Sequence, residues 1–431
     1  MEVLLEIRDP VHGGIQVEGH EIPILDHALV QRLRNIRQLG FSDVSFPGAT
    51  HTRYLHSVGT MHLAGRAFDA IAKNNGFRPT PAEFGRLRTL VRVAALLHDV
   101  GHPPLSHTTE SALPKVGALC VPGYERDPER QAAHEDLTIK FILCGSLGDR
   151  IDESLADVAL DRRMVAAVIS PDVVCDSAAF ACCGADTRPL LHQIVSSELD
   201  VDRMDYLVRD AHFTGVRYGM FDREWIISGL AAARVEDRWH LALDRRAVLA
   251  FEDFLLSRYH MFLAVYFHHR TIAFDYMLEQ WFAAQRASFE VPLEAAAFAD
   301  FDDHTLQMML RSSDDPWAHR IIKRESYQML RELHGEEYEK YHGAIDNALD
   351  QAGVTRVWIP SKGVVSKYYA RGRGGGELSE LYIRQKTAPG GPEVVPLHES
   401  TDLFHKYQQG YHLHRLYAPK EQVKKALKAL G

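Results

Sequence analysis

The sequence predicts a mainly α fold: one large helical body followed by a small C-terminal α+β lobe. Three observations carry that expectation. Apolar residues recur at helical spacing from Asp26 to about residue 350. Beyond about residue 352 the pattern turns to short β-branched and aromatic runs punctuated by Gly and Pro. A chain of 431 residues is also too long for one compact core of ordinary size. The expected division is an extended arm or hairpin over 1–25, a helical domain over 26–350 and an α+β lobe over 351–431.

Each element follows from its local pattern. VLLEIRD and GGIQVEG alternate around Gly13-Gly14, as a short hairpin would. HALVQRLRNIRQLG places Leu29, Leu33, Ile36 and Leu39 at helical spacing and predicts a helix ending at Gly40. HSVGTMHLAGRAFDAIAKNNG predicts a second helix, stopped by Asn75-Gly76. PAEFGRLRTLVRVAALLHDVGH predicts a third that starts at proline and ends in a buried Leu/Ala-rich turn. DVDRMDYLVRDAHFTG is a further helix, and EDFLLSRYHMFLAVYFHHRTIAFDYMLEQWF is apolar nearly all round, hence central. In the tail RVWIP, VVSKYY, LYIRQK and HRLYAP read as strands, and KEQVKKALKAL as a closing amphipathic helix.

Composition removes several classes. With 46% hydrophobic and 25% charged residues the chain is globular, not disordered or fibrous. No apolar run reaches the roughly 18 residues of a membrane span, and the start lacks the basic and apolar blocks of a signal peptide. Five cysteines without a CxxC pattern fit reduced cytoplasmic thiols rather than a cysteine zinc site. A net charge of −9 argues against bulk attraction to nucleic acid or anionic membrane. The stretch 361–386 is locally basic, which a solvated face explains more simply than a nucleic-acid contact.

The unusual figure is 24 histidines. His56, the pair His98-Asp99 and Asp202 each lie in or beside an apolar helical stretch. There an ionisable side chain is costly unless paired or metal-bound. At this composition roughly two His-Asp dipeptides arise by chance, and a lone buried histidine is more often a core residue than a ligand. Both readings therefore stand on the residues alone. What favours a metal is the context of a buried helix end running into Gly101-His102-Pro103-Pro104, with further histidines close by. Two imidazoles and two carboxylates without a thiolate suit one divalent ion: Mn, Fe, Mg or Zn. His102, His107 and His134, with Glu110 and Glu135, are then candidate acid–base groups.

Taken jointly, these segments resemble the HD-domain metal phosphohydrolases, most closely the deoxynucleoside triphosphate triphosphohydrolases. The likeness runs in order through RDPVHG (8–13), RLRNIRQLG (32–40), FPGATHTRYLHSVG (46–59), HDVGHPPLSH (98–107), HEDLT (134–138), DVDRMDYLVRDAHFTG (200–215) and RYHMFLAVYFHHR (258–270). It implies an HD-domain helical core, with His56, His98, Asp99 and Asp202 as the metal ligands. It implies catalytic roles for His107 and His134, assisted by His102, Glu110 and Glu135. Arg53, Arg203 and Arg258 fall on triphosphate-holding positions, and Gln38, Leu39, Tyr206, Asp210 and Tyr266 on sugar and base positions. Asp26, Gln31 and Arg34 match a regulatory nucleotide site. Leu5, Gln328 and Glu332, however, stand where activator phosphates need Lys or Arg.

The implied reaction is metal-dependent hydrolysis of a dNTP to deoxynucleoside and inorganic triphosphate, by a cytoplasmic homo-oligomer with no membrane partner. The same site on another phosphate ester is one alternative. A non-catalytic nucleotide sensor is the other.

Overall fold

The computed structural model describes residues 3–74, 76–285, 289–363, 380–387, 391–400 and 411–431. The fold is mainly α, as the periodicity predicts. Strands Val3–Asp9 and Gly13–Glu18 form an antiparallel hairpin, with Asp9 opposite Gly13 at its turn. Helix Arg53–Lys73 packs against both Pro81–Leu97 and Val201–Thr214 at the centre of the body. The start of Pro81–Leu97 is a capping box, in which Thr80 and Glu83 satisfy each other's backbone N–H groups. From Thr89 to Leu97 every residue of that helix is buried. The helix therefore delivers His98, its C-terminal cap, to the interior.

Two predicted helices are interrupted, each by a tertiary contact. The helix expected through Gly40 is a short turn, Ala28–Gln31, followed by a tighter 3-10 turn, Arg32–Asn35. At Ile36 the backbone turns extended (φ −110°, ψ 116°). Arg37 then bridges Thr52, and the Gln38 N–H donates to His51 O at 3.0 Å. Asp303, 266 positions away, captures the Arg37 N–H at 2.9 Å. The long apolar helix is also split. Val248–Met261 runs into one wide π-type turn, Phe262–Tyr266, and helix resumes at His269–Gln285. A distant strand bonds to backbone carbonyls beside this break: Arg415 donates to Phe267 O, and Tyr417 to His269 O at 2.9 Å.

Strands Gln328–His334, Tyr411–Ala418 and Val357–Gly363 form an antiparallel sheet with Tyr411–Ala418 in the middle. Helices Gly335–Gln351 and Val423–Leu430 cover it around Leu333, Leu349, Leu416 and Ala426, so this small unit draws residues from both sides of position 351. Strand Tyr382–Thr387 instead joins the other sheet, running parallel to Arg238–Asp244 and pairing antiparallel with Gly391–Pro396. Arg384, from the basic stretch, is held there by Asp244 at 3.0 Å. The expected VVSKYY strand and most of that basic stretch lie outside the described residues. No helix among the described residues is long and apolar enough to cross a membrane.

Candidate metal and phosphate site

His56 sits in the first turn of helix Arg53–Lys73, His98 caps Pro81–Leu97, Asp99 follows it, and Asp202 opens Val201–Thr214. The three helices bring the four side chains together. His56 Nε2 lies 3.0 Å from Asp202 and 3.6 Å from Asp99. His98 Nε2 lies 3.4 Å from Asp99 and 3.7 Å from Asp202. Each imidazole has its other nitrogen engaged: His56 Nδ1 with Asp205 at 2.8 Å, His98 Nδ1 with Ala95 O at 2.7 Å. Both Nε2 atoms therefore face the same point. His98 Nε2 is buried and makes no hydrogen bond, an arrangement a coordinated cation would satisfy. The electrostatics agree. Burial alone would lower the pKa of His56, yet hydrogen bonds to Asp202 and Asp205 and the charge of Asp99 raise it to about 10. A place that draws a proton this strongly also draws a divalent ion in its stead.

Asp99 links this trio to a second cluster. Its Oδ1 lies 3.3 Å from His102 Nε2 and 3.9 Å from His134 Nε2, while Oδ2 pairs with Arg53. His102 and His134 stack with ring centroids 3.7 Å apart, and His107 approaches both edge-on. Glu110 accepts from His134 Nδ1 and lies 3.3 Å from His107 Nδ1. Glu135 stands farther off, 3.6 Å from His134 Nδ1, and is half exposed. Burial, with Arg53 and His134 nearby, lowers the pKa of His102 well below the imidazole range. Burial opposes charge on His134 too, but Glu135 and Glu110 outweigh it and raise its pKa to about 9. The surroundings thus favour the neutral form of His102 and the charged form of the His134 ring stacked on it.

The loop from His98 to His107 is strained and held from outside. Leu105 and Ser106 are both left-handed, at φ 54° and 58°, a conformation a leucine rarely adopts. Asp303 accepts the Leu105 N–H at 2.8 Å. Ser106 Oγ accepts from Arg53 Nε at 2.8 Å and donates to Arg37 O at 3.0 Å. Arg32, buried against Phe298, donates to His102 O at 2.8 Å. Sequence reading found none of Asp303, Ser106, Arg32 or Asp205, because each acts through a partner remote in the chain.

The expected phosphate and sugar residues divide between engaged and available groups. Arg53 is buried against Asp99 and Ser106. Arg203 pairs with Asp200, while its Nε is buried without a partner. Arg258 faces Glu198 at 3.4 Å. Both Asp210 oxygens are taken, by His51 at 2.7 Å and by the Tyr266 hydroxyl at 2.8 Å. Tyr206 lies between His56 and Tyr266, with ring centroids at 6.4 and 6.1 Å, and burial raises its pKa to about 12. Gln38 is buried with Oε1 unsatisfied, beside partly buried Leu39. Gln31 and Arg34 bond each other at 2.8 Å, and Arg34 stacks over Tyr54 at 3.6 Å. Asp26 is exposed nearby. Glu332 is committed to Arg415 at 2.7 Å, and Leu5 is exposed.

A helical body whose loops and helix ends converge His, Asp and Arg on one point offers donors for a cation and for phosphate, and the comparisons point the same way. Residues 53–161 match the HD domain, and residues 221–344 match the HD associated region. The chain carries an HD domain with its associated region, and it resembles the HD-domain phosphohydrolases, among them the deoxynucleoside triphosphate triphosphohydrolases. An uncharacterized protein of Methanocaldococcus jannaschii is 30% identical over 324 residues, covering 75% of this chain and 59% of that protein. A Dictyostelium discoideum protein, the deoxynucleoside triphosphate triphosphohydrolase SAMHD1 homolog, is 30% identical over 212 residues, covering 48% of this chain and 36% of its own. This chain thus spans less than two thirds of the length of these relatives. A hypothetical protein from Aquifex aeolicus superposes with a TM-score of 0.73 at 26% identity, covering 99% of this chain and 100% of its own.

Proposed function

We propose that the protein is a metal-dependent hydrolase that converts a deoxynucleoside triphosphate to deoxynucleoside and inorganic triphosphate. The observation that carries the proposal is Asp99. One carboxylate joins the imidazole and carboxylate donors His56, His98 and Asp202 to the acid–base set His102, His134 and Glu110. A divalent cation held by His56, His98, Asp99 and Asp202 supplies Lewis acidity at a phosphoryl oxygen and acidifies bound water. The donor set suits Mn, Fe, Mg or Zn.

The chain's own groups supply the rest. Arg53, Arg203 and Arg258 neutralise the triphosphate, and their planar guanidinium groups orient it. Glu110 fixes the His134 ring through Nδ1, leaving Nε2 to hand a proton to the departing 5′-oxygen. His107 is exposed beside Glu110 and positions water or the leaving group. Tyr206 and Tyr266 wall the sugar, and a wall under the ring disfavours a 2′-hydroxyl. By its resemblance to the triphosphohydrolases the protein works as a homo-oligomer.

The test is incubation with Mn²⁺ and each dNTP and NTP, singly and mixed, with products resolved by chromatography. Release of intact triphosphate from dNTPs, lost in Asp202→Ala, is expected. Stepwise release of phosphate refutes the proposal. Turnover only in mixtures reveals nucleotide activation despite Leu5, Gln328 and Glu332.

A further inference from the structure

His56 can offer Nε2 to an ion only if something holds Nδ1, and that something is a buried network anchored in the N-terminal hairpin. Asp205 is fully buried, and both its oxygens accept. Oδ2 takes His56 Nδ1 at 2.8 Å and Arg209 Nε at 2.8 Å. Oδ1 takes His12 Nε2 at 2.6 Å and Arg209 Nη2 at 2.9 Å. A carboxylate between these groups can only accept, so His56 carries its proton on Nδ1.

The network continues outward. Arg223 Nη1 lies 3.3 Å from His12 Nδ1; a guanidinium only donates, so His12 accepts there and donates through Nε2 to Asp205. Arg209 Nη1 donates to Asp9 Oδ2 at 2.8 Å. Asp9 Oδ1 in turn accepts the N–H groups of Val11 and His12, each at 2.8 Å, which fixes the hairpin turn. Asp9 and Asp205 against Arg209 and Arg223 leave no net formal charge. The helix carrying His56 is cut away to admit this network, since a Cβ at Gly59 would stand 2.1 Å from Asp205 Oδ1 and 2.4 Å from Arg209 Nη2.

From this geometry we infer that Asp205 is the positioning carboxylate of His56, and that Asp9, His12, Arg209 and Arg223 clamp it, making the N-terminal hairpin a working part of the metal centre. The inference rests on reading His56 as a metal ligand. It separates the two histidines: His98 is oriented by a backbone carbonyl, His56 by a charged carboxylate that raises its strength as a donor. A hairpin that merely docked on the body would have no reason to bond the carboxylate that holds the far nitrogen of a ligand.

The experiment measures Mn²⁺ affinity by isothermal titration calorimetry on the full chain, with melting curves in chelator as the folding control. The variants are Asp205→Asn, His12→Leu, His12→Gln and Asp202→Ala. Asp205→Asn and His12→Leu are expected to weaken Mn²⁺ binding by about 10–100-fold. His12→Gln, whose amide can still donate to Asp205, is expected to restore most of it. Unchanged affinity in Asp205→Asn and His12→Leu, with Asp202→Ala losing the ion, overturns the inference and spares the metal centre. Undiminished binding in Asp202→Ala overturns the metal reading itself, and the inference with it. If Asp205→Asn does not fold, the two His12 variants decide between the same outcomes.

Discussion

Replacing Gly101 by alanine puts a methyl group where backbone already stands. The new Cβ would lie 2.3 Å from His134 O, 2.3 Å from Thr138 N and 2.8 Å from Thr138 Oγ1, against the 3.4 Å at which ordinary contact begins. The Gly101 N–H donates to Thr138 Oγ1 at 3.0 Å, and that hydroxyl donates to His98 O at 3.0 Å. The methyl therefore wedges the histidine loop off the first turn of helix His134–Leu143. Ordinary contact requires a retreat of about 1 Å, at an overpacking cost of about 1–3 kcal/mol. His134 rides on that turn, so its distance from Asp99 and from bound substrate shifts by a similar amount. A displacement of that size costs about 100-fold in rate. The assay pairs a thermal melt with steady-state kinetics: a lowered melting temperature and kcat down about 100-fold are expected, with KM moving less. A variant that melts lower but keeps its kcat would refute the link between Gly101 packing and the placement of His134. Wild-type behaviour in both would refute the packing argument as well.

Further predictions concern groups around the site. Burial raises the pKa of Asp275 to about 7, although Thr108 donates to it at 2.8 Å. The folded state thus holds this proton more tightly than the unfolded chain. Its stabilising share is full below the ordinary aspartate value of 3.8 and is lost as pH rises through about 7. Asp275→Asn should remove that slope, gaining on the order of 2 kcal/mol over wild type at pH 8 relative to pH 4, since slight exposure trims the full effect; parallel pH profiles from chemical denaturation would discredit it. Asp303→Ala strips the acceptor from the Arg37 and Leu105 N–H groups, at roughly 1–3 kcal/mol for each donor left buried. The left-handed Leu105-Ser106 pair should relax and kcat fall, and a melt together with kinetics at the wild-type level would contradict this. Mn²⁺ at about 100 times its Kd should stabilise the fold by about 2.7 kcal/mol, reversibly with chelator, and Asp202→Ala should abolish the difference. A chelator-insensitive melt would count against a cation at this centre.

Much of the helical body was legible because its signals are local. Thr80, Pro81 and Glu83 mark one helix start, and Asp200 and Gly215 bound another. His56, His98, Asp99 and Asp202 stood out because ionisable groups in apolar helical stretches demand an explanation. Helix breaks were not legible. Nothing near Ile36 or Phe267 forbids a continued helix; beside the breaks, backbone groups bond instead to Asp303, Arg415 and Tyr417, all remote in the chain. Asp205 was overlooked for a related reason. On the Val201–Thr214 helix it reads as one more charge, and its remote partners His12 and His56 are visible only in the folded chain. The one available signal was Arg209, four residues on from a carboxylate in a segment otherwise patterned for burial.

By itself the sequence determined the helices with their caps and the residue types able to bind a cation and phosphate, because periodicity and side-chain chemistry act over a few residues. Tertiary structure alone decided which strands pair across position 351, where the two helices break, and that Asp99 joins two histidine clusters. It also decided which nitrogen of His56 faces the centre. Those outcomes depend on contacts between groups as far apart in the chain as Asp9 and Arg209, whose cost in chain entropy is recovered only when the whole core closes around them.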